Sequence, residues 1–209
     1  MKKFIGALAL SIAAFGSSFA QAATLIVDDV TFGTSSVLRD TTNNQDFLRL
    51  DLTMGYGYSG ISSEFGVGGD FEGWSVASTM IMDALGVSAG VINGSTDVGQ
   101  IGIAESLRDF FCPASTCVNL SSTHEYARGL VSDSTAVAGT VDAFSIGRRF
   151  NVDPNEVDFR ISGYGGLNAI NEEVWLTRTA LTPVPLPAAG WLLIAGLAGM
   201  GVVGRRKKV

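Results

Sequence analysis

The chain has 209 residues, 46% of them hydrophobic and 16% charged, a length that suits one domain with a real apolar core. Its formal charge is −6, but its only lysines are Lys2, Lys3, Lys207 and Lys208, at the two ends. Between the ends, eight arginines face all twenty carboxylates, a balance that repels phosphate backbones and anionic lipid and excludes nucleic acid as a partner.

Residues 1–22 read as a secretory signal peptide. Lys2 and Lys3 form the charged start, and the run FIGALALSIAAF is too short to span a bilayer stably. The small-residue site Ala20-Gln21-Ala22 follows. Cleavage is expected between Ala22 and Ala23, with the next bond as the alternative, after passage through the Sec translocon.

Residues 23–183 are expected to form one exported α+β domain, with helices mainly in the first half and antiparallel strands in the second. Alternation predicts a strand over Thr24–Phe32, a short strand in SSVLR, a turn over Thr42–Asp46 and a strand over Phe47–Leu52. The stretch SGISSEFG predicts a short helix capped by Ser59 and stopped by Gly66. A short strand over Trp74–Ala77 precedes a helix with Ser78 as N-cap and Gly86 just past its end. Val98, Ile101, Ile103, Leu107, Phe110 and Phe111 recur near a 3.6-residue period, so a further helix runs to the cysteines. Strands follow over Tyr126–Ser132, Val141–Arg148, Val157–Ser162 and Glu173–Leu181, separated by turn clusters such as DPN and GYGGLN.

Cys112 and Cys117 form a C-x4-C pair, whereas zinc and thioredoxin-type sites favour C-x2-C. No further cysteine or histidine cluster completes a metal site. In an oxidising compartment the pair is expected to form a local disulfide of modest entropic value.

No catalytic, cofactor or metal site is expected. His124 is the only histidine, and no G-x-S-x-G surrounds a serine, so it reads as a polar surface or satisfied core residue. The glycines of GYGYSG and GVGGDFEG lack the phosphate-binding spacing and read as turns. Asp153, Asn155, Glu156 and Asp158 are close enough to offer oxygens to Ca²⁺, but the order of an EF-hand loop is missing, which favours a solvated turn. Asn93 and Asn119 open N-x-S sequons. Trp74, Trp175, Phe47, Phe65 and Phe71 are expected in the core, since a sugar-binding platform would need them exposed.

The tail, residues 184–209, reads VPLPAAGWLLIAGLAGMGVVGRRKKV. As a helix at ~1.5 Å per residue, Pro185 to Val203 would reach roughly 28 Å, close to the hydrocarbon thickness of a bilayer. Trp191 suits the headgroup level at one end. Arg205, Arg206, Lys207 and Lys208 hold the other end on the cytoplasmic side. One C-terminal transmembrane helix in the inner membrane is therefore expected, with the domain outside.

The order of Val184, Pro185, Leu186, Pro187 and Ala188, then an apolar helix, then a basic cluster resembles the PEP-CTERM class of bacterial sorting signals, in its VPLPA variant. That resemblance implies recognition and cleavage by an exosortase-like processing enzyme in a Gram-negative, exopolysaccharide-producing host. A second resemblance lies in LRDTTNNQDFLRLDLTMGYGYSGISSEFGVGGDFEGWSVAS, with GLVSD (Gly129–Asp133) and EVWLTR (Glu173–Arg178) at the expected places of closing strands. It is similar to Lcl-like secreted domains and implies a fold related to C-type lectins. NNQDFLRLD departs from that pattern, because its usual Trp is absent.

The expected protein is thus an exported, non-enzymatic cell-surface or extracellular-matrix protein. It is membrane-anchored before processing and associated with exopolysaccharide. Two alternatives stand beside it: a carbohydrate-binding, lectin-like module, and a secreted hydrolase whose carboxylates are dispersed along the chain.

Overall fold

The computed structural model describes residues 24–113, 117–120, 123–134, 137–150 and 155–180. The signal peptide with its Ala22–Ala23 cleavage site, the sorting motif Val184–Ala188 and the basic cluster Arg205–Lys208 lie outside these residues, as does the expected membrane helix. Among the described residues no helix is long and apolar enough to cross a membrane. The chain divides into two compact units, Met1–Thr179 and Ala180–Val209, and the description below concerns the first.

Alternating apolar residues open the first unit as a hairpin of β1 (Thr24–Asp29) and β2 (Gly33–Asp40). β1 stops three residues before Phe32 because Asp29 Oδ1 accepts the Thr31 and Phe32 N–H groups at 2.8 and 3.1 Å, closing a local turn. The second turn is built the same way. Asp40, fully buried, accepts the Thr42 and Asn43 N–H groups at 2.9 and 3.1 Å, and Asn44 takes φ 53°. Strand β3 therefore begins at Gln45 and runs only to Leu48. A 3₁₀ turn, Leu50–Thr53, replaces the second half of the strand expected over Phe47–Leu52. The Thr53 hydroxyl ties it down, donating to Leu50 O at 2.8 Å and accepting the Val174 N–H at 3.0 Å.

Helix α1 (Gly57–Ser62) starts two residues before Ser59, which is an interior residue and not a cap. After β4 (Ser75–Val76), α2 (Thr79–Ala89) opens as expected, with Ser78 accepting the Ile81 N–H at 3.3 Å. It does not end before Gly86. It runs on to Gly90, whose φ of 77° makes the left-handed C-cap. Helix α3 (Val98–Phe111) opens on Asp97, which accepts the Gln100 N–H at 2.9 Å. Its buried stripe is Ala104, Leu107 and Phe111, while Val98 and Ile103, counted on that stripe by periodicity, are exposed.

The remaining strands are β5 (Val118–Leu120), β6 (His124–Ser134), β7 (Thr140–Arg149), β8 (Glu156–Gly166), β9 (Glu173–Val174) and β10 (Leu176–Thr179). They confirm an α+β fold with two sheets, but the strands are not confined to the second half. The first sheet has the order β1-β2-β3-β10-β4, so the last strand closes against the first hairpin. The second has the order β5-β6-β7-β8, antiparallel throughout, with β9 added parallel to β6. The strand expected over Glu173–Leu181 is thus split between two sheets.

Trp175 makes that split. It lies between β9 and β10 and is 0% exposed. Its N–H donates to Leu130 O at 2.9 Å, its carbonyl accepts the Ala77 N–H at 2.8 Å, and its indole Nε1 donates to Phe144 O at 3.0 Å. With every polar group paired, the ring is buried without penalty. Gly129 makes room for it, since a Cβ there would stand 3.0 Å from the indole nitrogen and 2.8 Å from Leu50 Cδ1.

Two apolar clusters hold the elements. One joins Leu38 and Phe47 of the first sheet to Met82, Leu85, Leu107 and Phe111 of α2 and α3 and to Ala127, Ile146 and Phe159 of the second sheet. The other gathers Val37, Leu48 and Leu176 with Ile61, Phe71, Trp74 and Leu130. Full burial of such side chains contributes about 1.5–3 kcal/mol each. The expected core aromatics Trp74, Trp175, Phe47 and Phe71 are buried, and Phe65 is half-buried.

Candidate functional site

Strand β6 reads HEYARG, and its alternation sorts side chains to opposite faces. Ala127 pairs with Ile146, which pairs with Phe159, forming an apolar row under the helices. Glu125 pairs with Arg148 on that same side, where Arg148 bonds Glu125 at 2.9 Å and Glu105 of α3 at 2.7 Å. Arg108 of α3 also reaches Glu125, at 3.1 Å. The intervening residues form the outer face: His124, Tyr126 and Arg128 on β6, and Asp158 and Arg160 on β8.

Between them, β7 has little to offer in bulk. Gly147 pairs with both Tyr126 and Asp158, and Ser145 pairs with both Arg128 and Arg160. Gly147 has no room for a side chain, as a Cβ would lie 2.7 Å from Tyr126 Cα. The result is a hollow of about 180 Å³ lined by His124, Tyr126, Asp158, Arg160 and Ser162. The His124 and Tyr126 rings meet edge to face at 6.0 Å, and Thr123 Oγ1 lies 2.6 Å from His124 Nδ1. Arg160 Nε donates to Asp158 Oδ1 at 2.8 Å, with the Asp158 side chain 2% and the Arg160 side chain 44% exposed. The Ser162 hydroxyl donates to Ala143 O at 3.4 Å. Chemically this is one aromatic face beside a carboxylate, a guanidinium and a hydroxyl.

At the inner end of this face, Arg128 bonds Glu172 at 3.1 Å and donates to Tyr164 O at 3.1 Å. The other Glu172 oxygen, Oε2, is buried without a hydrogen bond. Burial pushes the neighbouring Glu173 carboxyl above the usual carboxylate range, and the Glu172 charge adds to the rise. A hydrogen bond to its own backbone and the charge of Arg128 only partly oppose it.

Each of the eight arginines of this unit is ion-paired. Arg39 and Arg178 share Asp46, Arg178 also reaches Asp29 at 2.7 Å, and Arg49 holds Asp51 at 2.5 Å. Arg108, Arg128, Arg148 and Arg160 are paired as described, and Arg149 pairs with Glu156. Burial alone would raise the Asp29 carboxyl, but hydrogen bonds from Thr31, Arg178 and Phe32 outweigh it and hold it low.

The oxygen-rich loop suggested for Ca²⁺ is differently occupied. Glu156 and Asp158 each hold an arginine, while Asp153 lies outside the described residues. Among the described residues no group of three His, Cys, Asp or Glu side chains could hold a metal. Cys112 and Cys117 are disulfide-bonded, Cα–Cα 5.2 Å, and close the segment after α3. The sequon residue Asn93 is a structural tie, its Oδ1 accepting the Phe159 N–H at 3.0 Å.

Two larger concavities flank α3. An apolar one of about 360 Å³ lies against β1, lined by Ile26, Leu38, Gly102, Ile103 and Phe110. The other, about 410 Å³, is lined by Thr96, Ile101, Glu105, Arg148 and Asn155.

Sequence reasoning named His124 and Asp158 but not their neighbours Tyr126, Arg160 and Ser162. The signal was present as polar residues at alternate positions of VDFRIS and HEYAR, whose meaning needs the strand register.

No protein-family model, curated protein or solved structure matches this chain.

Proposed function

We propose that this chain is an exported cell-surface or extracellular-matrix protein, tethered through its tail before processing, non-enzymatic and associated with exopolysaccharide. The observation that supports this reading most is one row across the first sheet. Thr24 pairs with Asp40, Asp40 with Gln45, and Gln45 with Thr179. The first and last strands therefore meet the neighbouring chain at the same end of the sheet, about 14 Å apart at three interstrand spacings. In this reading the signal peptide precedes Thr24 and is cut, and the tail that follows Thr179 is the remaining tether.

The VPLPA-type tail is the recognition element for an exosortase-like enzyme in this reading, and its basic cluster supplies orientation. A relation to C-type lectins is favoured by a terminal strand that closes beside the first hairpin, and by helices α2 and α3 preceding an antiparallel sheet.

Deletion of residues 184–209 followed by cell fractionation tests the reading. The expected result is loss of surface retention with the domain released to the medium. Unchanged retention overturns it.

A further inference from the structure

The geometry points to the hollow on the outer face of the second sheet as a binding site for one ring of a neutral polysaccharide. The inference deepens the exopolysaccharide part of the proposed function and rests on it only for the source of the sugar.

A sugar ring presents an apolar face of C–H groups and a rim of hydroxyls that both donate and accept. The hollow offers the complement to each. Tyr126 supplies an aromatic face beside the floor at Gly147, where no side chain intrudes. Asp158 is 1% exposed, and its Oδ1 is held by Arg160. It lines the hollow, so a nearly buried carboxylate borders the cavity. Arg160 uses Nε on Asp158, and its side chain is 44% exposed beside the hollow. A carboxylate and a guanidinium fixed side by side can take one vicinal diol, accepting from one hydroxyl and donating to its neighbour. At about 180 Å³ the hollow holds roughly one ring, below the size of a drug-like pocket.

Charge decides the class. The face carries arginine, but each arginine already holds a carboxylate, and the unit around it is strongly acidic. A uronate or sulfate would meet no uncompensated cation here and would approach against the field of the whole unit. A neutral sugar meets no such opposition.

The test uses the intact exported protein in affinity electrophoresis through gels containing dextran, galactomannan or mixed-linkage β-glucan, with polygalacturonate as the anionic arm. The expected result is retardation by at least one neutral polymer and none by polygalacturonate. Tyr126→Leu and Arg160→Gln should each weaken that retardation at least tenfold while melting like the parent. No retardation by any neutral polymer, retardation by polygalacturonate alone, or unchanged binding by the folded variants overturns the inference. Should Tyr126→Leu fail to fold, Arg160→Gln alone decides, because its side chain is 44% exposed. Failure of the tail reading would appear as unchanged surface retention and would leave the gel result untouched.

Discussion

Gly86 and Phe159 are in contact across the main core: a Cβ on Gly86 would lie 2.5 Å from Phe159 Cε1. The glycine is an interior residue of α2, and it permits the helix to lie flat against β8. Gly86→Ala should therefore destabilise the protein. The better helix propensity of alanine offers up to ~1 kcal/mol, and crowding of a fixed aromatic ring costs about 1–3 kcal/mol. Urea denaturation should show a lower midpoint with an unchanged slope.

Asp46 anchors the opposite side of the first sheet. Its side chain is 0% exposed and takes Arg39 at 2.7 Å and Arg178 at 3.4 Å, while Arg178 stacks over Trp74 at 4.3 Å. Asp46→Asn would leave two guanidiniums without their shared charge, at a cost of roughly 3 kcal/mol. Because the carboxylate is enclosed, the difference between parent and variant should persist in high salt, as denaturation with and without 0.5 M NaCl would show.

The Cys112–Cys117 bridge closes a loop of sequence separation 5 after α3. Chain entropy for so short a loop gives about 2 kcal/mol. A Cys112→Ser, Cys117→Ser variant should lose about that much by urea denaturation. Alkylation of the exported parent under native, non-reducing conditions should find no thiol.

Two carboxylates impose opposite pH dependence. Glu173 is raised above its usual 4.5 by burial, so the folded state binds its proton more tightly than the unfolded state does. Its contribution to stability is greatest at low pH and declines as pH rises from about that value through the folded pKa. Asp29 is lowered below 3.8, so its contribution is present above that value and is lost as pH falls through the folded pKa. Glu173→Gln should raise the thermal midpoint at pH 7 and flatten its decline above pH 4.5. Asp29→Asn should lower the midpoint at pH 7 and bring the two proteins together in strong acid.

Much of the local structure was legible in order. Ser78 as a cap, a helix running to Cys112, and strands over 126–132, 141–148 and 157–162 follow from caps and periodicity, which are near-neighbour physics. The misreadings have a common cause. Glycine usually ends helices, so Gly86 reads as a stop in the sequence, yet it packs inside α2 against a ring 73 positions away. Ser59 has the residue type of a cap, but a backbone hydrogen bond from its N–H to Leu167 O fixes the start of α1 in another way. Trp74 and Trp175 are core as expected, while Tyr126, which sequence reasoning did not single out, lies on the outer face.

By itself, the sequence determined the charge asymmetry, the two targeting segments as expectations, the paired cysteines and the α+β class. Each depends on composition or on residues close in the chain. Only the tertiary structure decided that the terminal strand closes beside the first hairpin, and that Trp175 passes the chain between sheets. It also decided that Tyr126, Asp158 and Arg160 share one hollow across Gly147. Those relations depend on strand register, and register is set by which faces are buried against distant elements. A one-residue slip would turn the same side chains inward and leave no hollow at all.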